Sequence, residues 1–259
     1  MIPAVTAAEK IARRKKIKEK RRRSGKKCRP LVPARPGADQ RYKEMKIVGY
    51  YDQLRSRHLV MATRGNAVAA GQLMRRAAGL IGLRDADEKV GNVDGAPWIR
   101  NQVQRQNLPL DALGLDFYHL AENVHQARRA TFGESSEPGN MWAKEILHSF
   151  KHAGFEPTWD LLVCWRGKLR GNKRKAADGL LHYVSERRSM IKYPEFSQKG
   201  WDIGSGPTEA SCKTMTARVK RTGMRWETAN AEAILAIEAL VRSDQWDAYW
   251  RHHANPTAV

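Results

Sequence analysis

This chain of 259 residues lacks the features that define several protein classes. Its three cysteines lie far apart and form no Cys-x-x-Cys pair, which argues against a disulfide framework or a zinc ribbon and favours a reducing cytoplasm. No run of about 18 apolar residues is present, so we expect no membrane-spanning helix. The first residues lack the charged, apolar and small-residue order of a secretory leader, so we expect no secretion.

Motifs of several enzyme classes are missing as well. The sequence contains no Walker-type phosphate loop, no Gly-x-Gly-x-x-Gly and no Gly-x-Ser-x-Gly. Nucleotide hydrolysis, dinucleotide-dependent redox chemistry and esterase chemistry therefore have no motif to support them.

Positive charge is the strongest compositional signal. The chain has 47 Lys and Arg against 27 Asp and Glu, and residues 10–29 alone hold 13 basic residues and one acid. This segment is either a solvated, disordered arm or a phosphate-binding element, and we favour phosphate binding because each neutralised phosphate releases counterions. The charge does not distinguish DNA from RNA. The predicted contacts in the arm are Arg13, Arg14, Lys15, Lys16, Arg21, Arg22 and Arg23.

Hydrophobic periodicity divides the rest of the chain into an α/β part and a helical part. Prolines and a glycine mark a linker over 30–40, and strand-like runs at 44–51 and 57–63 predict a hairpin. The further predicted elements are a helix over 66–83, a strand at 89–94 followed by a helix, a strand within 112–118 that leads into a helix to about 131, a helical block over 140–200, and helices over roughly 207–222 and 228–243. Strands that alternate with helices favour an α/β sheet, with the helical block as an insertion or second subdomain.

Two carboxylates lie where side chains are presented rather than buried. Asp94 follows a predicted strand, and open α/β sheets bind ligands beyond the carboxyl ends of their strands. Glu209 lies in the first turn of a predicted helix. Each also has a purely structural interpretation, because Asp-Gly is a common turn pair and an early glutamate stabilises a helix N-terminus.

The helix that begins near Glu209 has a polar face and an apolar face. Helical spacing predicts a polar stripe of Glu209, Lys213, Thr216 and Lys220 beside an apolar stripe of Cys212, Met215 and Val219. An acid at the head of a basic stripe is suited to hold a metal ion above a nucleic-acid backbone, whereas the alternative is an exposed helix with Glu–Lys pairs. The predicted nucleic-acid contacts here are Lys213, Arg218, Lys220, Arg221 and Arg225.

Asp116 and His119 form a further polar group in the segment DFYHLAEN. Their spacing places them together on a helix edge or at its N-terminal approach. Helix capping by Asp116 and ordinary packing of His119 stay open beside a role in a functional site.

Three segments together are similar to a known family: NVDGAPWIRNQV (92–103), LDFYHLAENV (115–124), and GWDIGSGPTEASCK with RVKRTGMRW (200–226). They resemble the bacterial insertion-sequence transposases of the ISKra group, relatives of the Mutator-like DDE enzymes. The likeness extends from about Met1 to Trp250. The segment around Glu209 is specific by itself, and the other two are specific mainly in combination.

The resemblance implies an α/β fold with a ribonuclease-H-like catalytic core, an all-helical insertion and an incomplete first strand. It divides the chain into a basic arm and linker (1–40), the first part of the core (41–132), the insertion (133–200), the helices that complete the core (201–250) and a tail (251–259).

The resemblance also implies metal-dependent cleavage and transfer of DNA strands. The family uses three carboxylates to hold two Mg²⁺ or Mn²⁺ ions, which activate the attacking oxygen and stabilise the leaving one. Asp94 matches the second carboxylate and Glu209 the third, so we expect both to be metal ligands and catalytic residues. Asp116 and His119 match a family element and are expected to support the site. The expected partner is DNA, with self-association, no membrane contact and a bacterial, nucleoid-associated cytoplasmic location.

The family's first carboxylate has no match in this sequence. The family carries it as Asp-Gly on the opening strand, whereas residues 1–6 resemble the tail of that strand. Asp39 in the linker and Asp52 at a hairpin turn are not convincing replacements. We therefore expect a truncated copy of a longer transposase, with an Asp-Gly encoded upstream, and we expect negligible strand cleavage or transfer by this chain alone.

Two non-enzymatic interpretations stay open. A basic DNA- or RNA-binding protein uses the arm and the Glu209 helix for phosphate contacts only and has no metal requirement. A ribosome-associated structural protein fits the arm but not the Gly-Ser-Gly-Pro-Thr-Glu segment.

Overall fold

A computed structural model describes residues 1–28, 30 and 40–254. Most of the linker predicted over 30–40, Asp39 included, and residues 255–259 lie outside the described residues. The described chain is α/β, as predicted, and mostly helical. It divides into two compact units, Met1–Ile81 with Pro207–Val259 and Gly82–Gly206. The division predicted from the family, at 132/133 and 200/201, stays a prediction.

The strands of the described residues are β1 (Ile2–Pro3), β2 (Tyr42–Lys43), β3 (Lys46–Tyr51), β4 (His58–Thr63), β5 (Val90–Val93) and β6 (Ala112–Leu115). The helices are α1 (Ala7–Arg23), α2 (Ala67–Leu80), α3 (Pro97–Arg105), α4 (Phe117–Phe132), α5 (Glu137–His152), α6 (Phe155–Gly167), α7 (Gly171–Glu186), α8 (Tyr193–Gln198), α9 (Gly206–Ala217), α10 (Thr228–Arg242) and α11 (Trp246–Ala254). The strands form three pairs, of which β1–β2 and β3–β4 are antiparallel and β5–β6 is parallel.

The β3–β4 hairpin of the first unit confirms the hairpin predicted from the sequence. Asp52 closes its turn, because the carboxylate accepts hydrogen bonds from the Ser56 hydroxyl and from the Arg57 amide. These hydrogen bonds lower the pKa of Asp52. Asp52 is therefore a residue of the hairpin turn, in agreement with its interpretation from the sequence.

The core of the first unit joins the hairpin to the N-terminus and to the C-terminal helices. Its buried members are Ile2, Val60, Met215, Val219, Ala231, Leu235 and Ala239. The Trp226 amide donates to the Pro3 carbonyl at 3.2 Å, and the Trp226 carbonyl accepts from the Val5 amide at 2.9 Å. Residues 1–6 are therefore part of this packed unit.

Residues 10–23 of the basic segment form most of helix α1, in contrast to the disordered arm considered as one alternative. A capping box starts α1, because the Glu9 amide donates to the Thr6 hydroxyl at 3.3 Å and the Thr6 amide donates to the Glu9 carboxylate at 2.8 Å. Every residue from 12 to 27 is exposed. α1 thus presents positive charge around its whole circumference.

The second unit contains the parallel pair and the helical block. β5 and β6 pair from Val90 opposite Ala112 to Val93 opposite Leu115. α4 packs against α5 and α7, and the buried core includes Leu115, Leu120, Val124, Phe150, Leu162, Val184 and Tyr193. Helices α5 to α8 confirm the helical block predicted over 140–200.

The helix predicted over 207–222 is wrong in length. α9 ends at Ala217. Beyond Ala217 the Val219 amide donates to the Thr216 carbonyl at 3.0 Å, a bond that spans three residues instead of the four of an α-helix, so the chain leaves the helix in a turn. Lys220 therefore follows the helix instead of lying on it.

The polar stripe predicted on this helix is also wrong at one position. Thr216 is buried, and its hydroxyl donates to the Cys212 carbonyl at 2.6 Å. A threonine can be buried there because the preceding turn accepts its hydroxyl proton. At the C-terminus, α11 is a helix that the sequence pattern did not predict.

Candidate active site

The carboxyl ends of β5 and β6 lie side by side in the second unit. Asp94 directly follows β5, and Asp116 directly follows β6. The Asp116 amide donates to the Val93 carbonyl at 2.8 Å, which extends the pairing to the last residue of β5. The structure thus brings two of the sequence-predicted carboxylates to one edge, where open α/β sheets bind ligands.

Asp94 is exposed at this edge. One carboxylate oxygen accepts a hydrogen bond from the Ala96 amide at 2.8 Å. Within the part of the chain that the structure describes, Asp94 forms no ion pair. An exposed carboxylate with one oxygen bonded only to a backbone amide keeps acceptor capacity for a hard divalent cation.

The residue after Asp94 has to be glycine. Gly95 has a φ of +81°, in the left-handed region. A Cβ at this position would lie 2.6 Å from Leu115 Cδ1 and 2.7 Å from Arg187 Nε. The Asp-Gly pair is therefore part of a turn, which is the structural interpretation given from the sequence. The same turn leaves the Asp94 carboxylate exposed to solvent.

Asp116 has the opposite environment and is 0% exposed. One carboxylate oxygen accepts from the Tyr118 amide at 2.7 Å and the His119 amide at 3.1 Å, and the other accepts from the Ser205 amide. Burial raises the pKa of Asp116, but the hydrogen bonds from Ser205, His119 and Tyr118 outweigh burial and lower it. Asp116 is thus the N-cap of α4, and its acceptor positions are used by the protein itself.

The capped carboxylate also holds the glycine-rich segment that precedes Glu209 in the sequence. The Phe117 amide donates to the Ile203 carbonyl at 2.9 Å, next to the bond from Ser205 to Asp116. The Asn92 side-chain amide donates to the Asp202 carbonyl at 2.7 Å. Residues 202–205 are therefore fixed at the β5–β6 edge.

His119 is half-buried on the first turn of α4. Its Nδ1 lies 3.3 Å from a carboxylate oxygen of Glu122. A contact between residues three apart on one helix agrees with ordinary packing of the histidine, which was one of the two alternatives. The predicted supporting role of His119 at a site stays a prediction.

Two residues from the end of α7 contribute to this edge, and the sequence pattern did not identify them. Arg187 Nε donates to the Gly95 carbonyl at 3.0 Å, and the guanidinium carbon lies 4.0 Å from the centre of the Tyr183 ring. The Tyr183 hydroxyl is buried with no hydrogen-bond partner among the described residues. No sequence signal marks either residue, because Tyr183 lies within the regular helical pattern of α7 and Arg187 directly follows that helix.

The charges at the edge act on Tyr183. Burial raises the pKa of Tyr183, the neighbouring Arg187 lowers it, and the carboxylates of Asp94, Asp116 and Glu122 raise it further. Tyr183, Arg187 and the two strand-end carboxylates therefore belong to one electrostatic environment.

Glu209 lies in the first turn of α9, as predicted, and is exposed. It belongs to the first unit and Asp94 to the second. The predicted convergence of these two carboxylates on a shared cation stays a prediction.

The basic residues predicted to contact nucleic acid near Glu209 fall into two groups. Lys213, Lys220 and Arg221 are exposed. Arg218 is 3.2 Å from a carboxylate oxygen of Glu238. Arg225 donates to Glu9 and to the Ala4 carbonyl, which anchors the first turn of α1. The arginines of the second group thus have structural partners within the protein.

The basic residues predicted in the arm are all exposed on α1. Arg23 lies beside Glu19 one turn earlier, and this is the only acid within residues 10–29. Arg13, Arg14, Lys15, Lys16, Arg21 and Arg22 face solvent around the helix.

The described residues contain no ready-made metal centre, since no three His, Cys, Asp or Glu side chains of residues 1–28, 30 and 40–254 come together as a possible set of ligands. Of the helices in the same ranges, none combines the length and apolar content needed to cross a bilayer.

No known protein family, curated protein or solved structure matches the chain.

Proposed function

We propose that this chain is the catalytic part of a DDE-type transposase, with a ribonuclease-H-like core and an all-helical insertion. The observation that carries the proposal is the exposed Asp94 carboxylate at the carboxyl end of β5, beside β6 in a parallel pair. The helices α4 to α8 between β6 and α9 support it, because the resemblance implies an all-helical insertion before the last acidic residue.

The donor chemistry of two exposed carboxylates supports a divalent cation. Asp94 and Glu209 offer carboxylate oxygens, which Mg²⁺ and Mn²⁺ prefer, and Glu209 follows Ser205 by four residues in the sequence. Asp116 does not fit as a ligand, because three amides use its oxygens. When bound, two ions of this kind supply charge stabilisation for attack on a phosphodiester. The chain's own contribution is to hold the Asp94 carboxylate at the strand end.

Positive surface charge supports DNA as the substrate. α1 exposes basic side chains on all sides, and each contact with a phosphate releases counterions. The exposed Lys213, Lys220 and Arg221 add charge close to Glu209 in the sequence. We propose that these residues bind the DNA backbone, and that self-association brings two element ends together.

A second candidate function is a non-catalytic basic protein that binds DNA or RNA. The exposure of α1 favours it, since an exposed basic helix binds phosphates without a metal. In this alternative the two carboxylates have no function in common, and binding depends on salt alone.

The two functions are separated by the response of a protein–DNA complex to Mn²⁺. A duplex labelled at both ends reports its geometry by energy transfer, with and without Mn²⁺, for the wild type, D94N and E209Q. We expect Mn²⁺ to change the energy transfer in the wild type but not in D94N or E209Q. D87N and D247N are matched controls that should respond like the wild type, because both acids are exposed and lie in the same two units. A complex that responds to salt but not to Mn²⁺ supports the second candidate.

The contribution of α1 is measured by reversing charge within residues 10–29. We expect the salt dependence of DNA affinity to become shallower, by about 0.9 in log–log slope for each phosphate that the variant no longer neutralises. Mn²⁺-dependent changes in energy transfer that persist after this charge reversal arise from the chain outside residues 10–29. Unchanged affinity and slope would rule out α1 as the main contact with DNA.

A further inference from the structure

We propose that Arg187 is a positioning residue for Asp94, so that the segment at the end of α7 orients the Asp94 carboxylate, which directly follows β5. This inference rests on the proposed function, because it gives Asp94 the role of a metal ligand. It assigns a role to the end of α7, which neither the motifs nor the family resemblance includes.

The contact is with the turn and not with the carboxylate. Arg187 Nε donates to the carbonyl of Gly95 at 3.0 Å, directly after Asp94. The amide on the other side of the same turn, from Ala96, donates to the Asp94 carboxylate at 2.8 Å. The turn is therefore held on both sides of the peptide bond that follows Gly95. Among residues 1–28, 30 and 40–254, no basic side chain forms an ion pair that would neutralise the Asp94 carboxylate.

Arg187 is itself fixed in place. Its side chain is only 13% exposed, and Nη1 donates to the Tyr183 carbonyl at 3.0 Å. The guanidinium group stacks on the Tyr183 ring, with its carbon 4.0 Å from the ring centre. A group held at three points in this way has little freedom to release the Gly95 carbonyl.

The space around Gly95 shows that the two segments fit closely. A Cβ at Gly95 would meet Arg187 Nε at 2.7 Å, so the arginine occupies the space that a side chain would need. Arg100 gives a second link between the same elements, because its guanidinium donates to the Glu186 carbonyl at 3.2 Å. α3, which starts just beyond the turn, is thus bound to the end of α7 as well.

The neighbouring Arg188 provides a matched control. Its guanidinium pairs with Glu156 instead of with the Asp94 turn, and its side chain is 65% exposed. R188Q therefore removes the same charge from the same segment and leaves the Gly95 carbonyl bonded.

The test is a titration with Mn²⁺, in which the free ion is followed by electron paramagnetic resonance. The proteins are the full-length wild type, R187Q, R187K, R188Q, D94N and the double variant D94N/R187Q. We expect R187Q to bind Mn²⁺ about tenfold more weakly than the wild type, which is typical when a residue that orients a ligand is lost. R188Q should match the wild type. R187K should lie in between, because an ammonium group can donate to one carbonyl but does not reproduce the planar stack.

The double variant separates positioning from a general loss of structure. If Arg187 acts through Asp94, R187Q has no further effect on Mn²⁺ affinity in the D94N background. Equal Mn²⁺ affinity of R187Q and the wild type, with D94N clearly weaker, overturns the positioning role and leaves the proposed function intact. Equal affinity of D94N and the wild type overturns the proposed function, and the positioning role with it. If R187Q does not fold, R187K decides, and wild-type affinity in that variant overturns the inference.

Discussion

Asp94 and Asp116 occupy equivalent places at the ends of two neighbouring parallel strands, yet their environments differ in every respect. Asp94 is exposed and accepts one backbone hydrogen bond, whereas Asp116 is buried and accepts three. The same residue type at the same edge of a sheet thus serves two purposes. The number of backbone amides that use the carboxylate decides whether it holds the fold together or stays open to a ligand.

The largest expected difference between the two carboxylates is in stability. D116A removes the cap of α4 and leaves the buried Ser205 amide without its acceptor, so we expect a loss of about 3 kcal/mol in the free energy of unfolding. D94A removes an exposed acceptor and should cost no more than about 0.5 kcal/mol. Urea unfolding followed by tryptophan fluorescence measures both. Similar losses for D116A and D94A would contradict the difference in burial and hydrogen bonding between the two carboxylates.

A smaller loss is expected when the turn after Asp94 is forced to accept a side chain. G95A places a Cβ at a φ of +81° and against Leu115 and Arg187, so we expect a loss of about 2 kcal/mol in unfolding free energy. Gly179 is the control, because it lies within α7 of the same unit with nothing within 4 Å of an added Cβ. G179A should stabilise the protein by about 0.5–1 kcal/mol. A G95A variant as stable as the wild type would contradict the close fit between the turn and Arg187.

The pKa of Asp116 gives a prediction with a definite sign. Because its hydrogen bonds lower the pKa in the folded state, the stabilisation is fully present above the ordinary Asp pKa of about 4 and is lost as the pH falls through the lower folded value. The difference in unfolding free energy between the wild type and D116N should therefore be constant above this pH and shrink below it. Urea unfolding from pH 6 down to acid conditions measures this difference in unfolding free energy. A difference that does not vary with pH would contradict the hydrogen bonds assigned to Asp116.

Individual helices, strands and turns could be predicted where the sequence carries one strong local pattern. The Asp-Gly pair after a short apolar run predicts both the end of β5 and its turn, and the structure has both. The hairpin and the helical block are likewise confirmed, because alternation and helical spacing of apolar residues are local properties. The end of α9 was not predicted in this way, since the apolar spacing continues through Met215 and Val219 whereas the backbone leaves the helix after Ala217.

The candidate site was predictable only in part, for the same reason. Asp94 and Asp116 carry signals in their own sequence surroundings, although the capping of α4 by Asp116 is established by its bonds from the Tyr118 and His119 amides, and its predicted support of the site stays a prediction. Arg187 and Tyr183 carry none, because they reach the Asp94 turn from a helix about 90 residues further along the chain. Side chains that act through tertiary contacts are invisible to periodicity and motif spacing.

The central proposal is that Asp94 and Glu209 both act as ligands of the divalent cation, as the family resemblance implies. Fe²⁺ that replaces this cation generates hydroxyl radicals with ascorbate and peroxide, and these cut the backbone next to the bound ion, where mass spectrometry locates the cuts. We expect cuts near residue 94 and near residue 209 in the wild type and in D87N, and the loss of both sets in D94N. Cuts at only one of the two segments, or a pattern that D94N leaves unchanged, would contradict the claim.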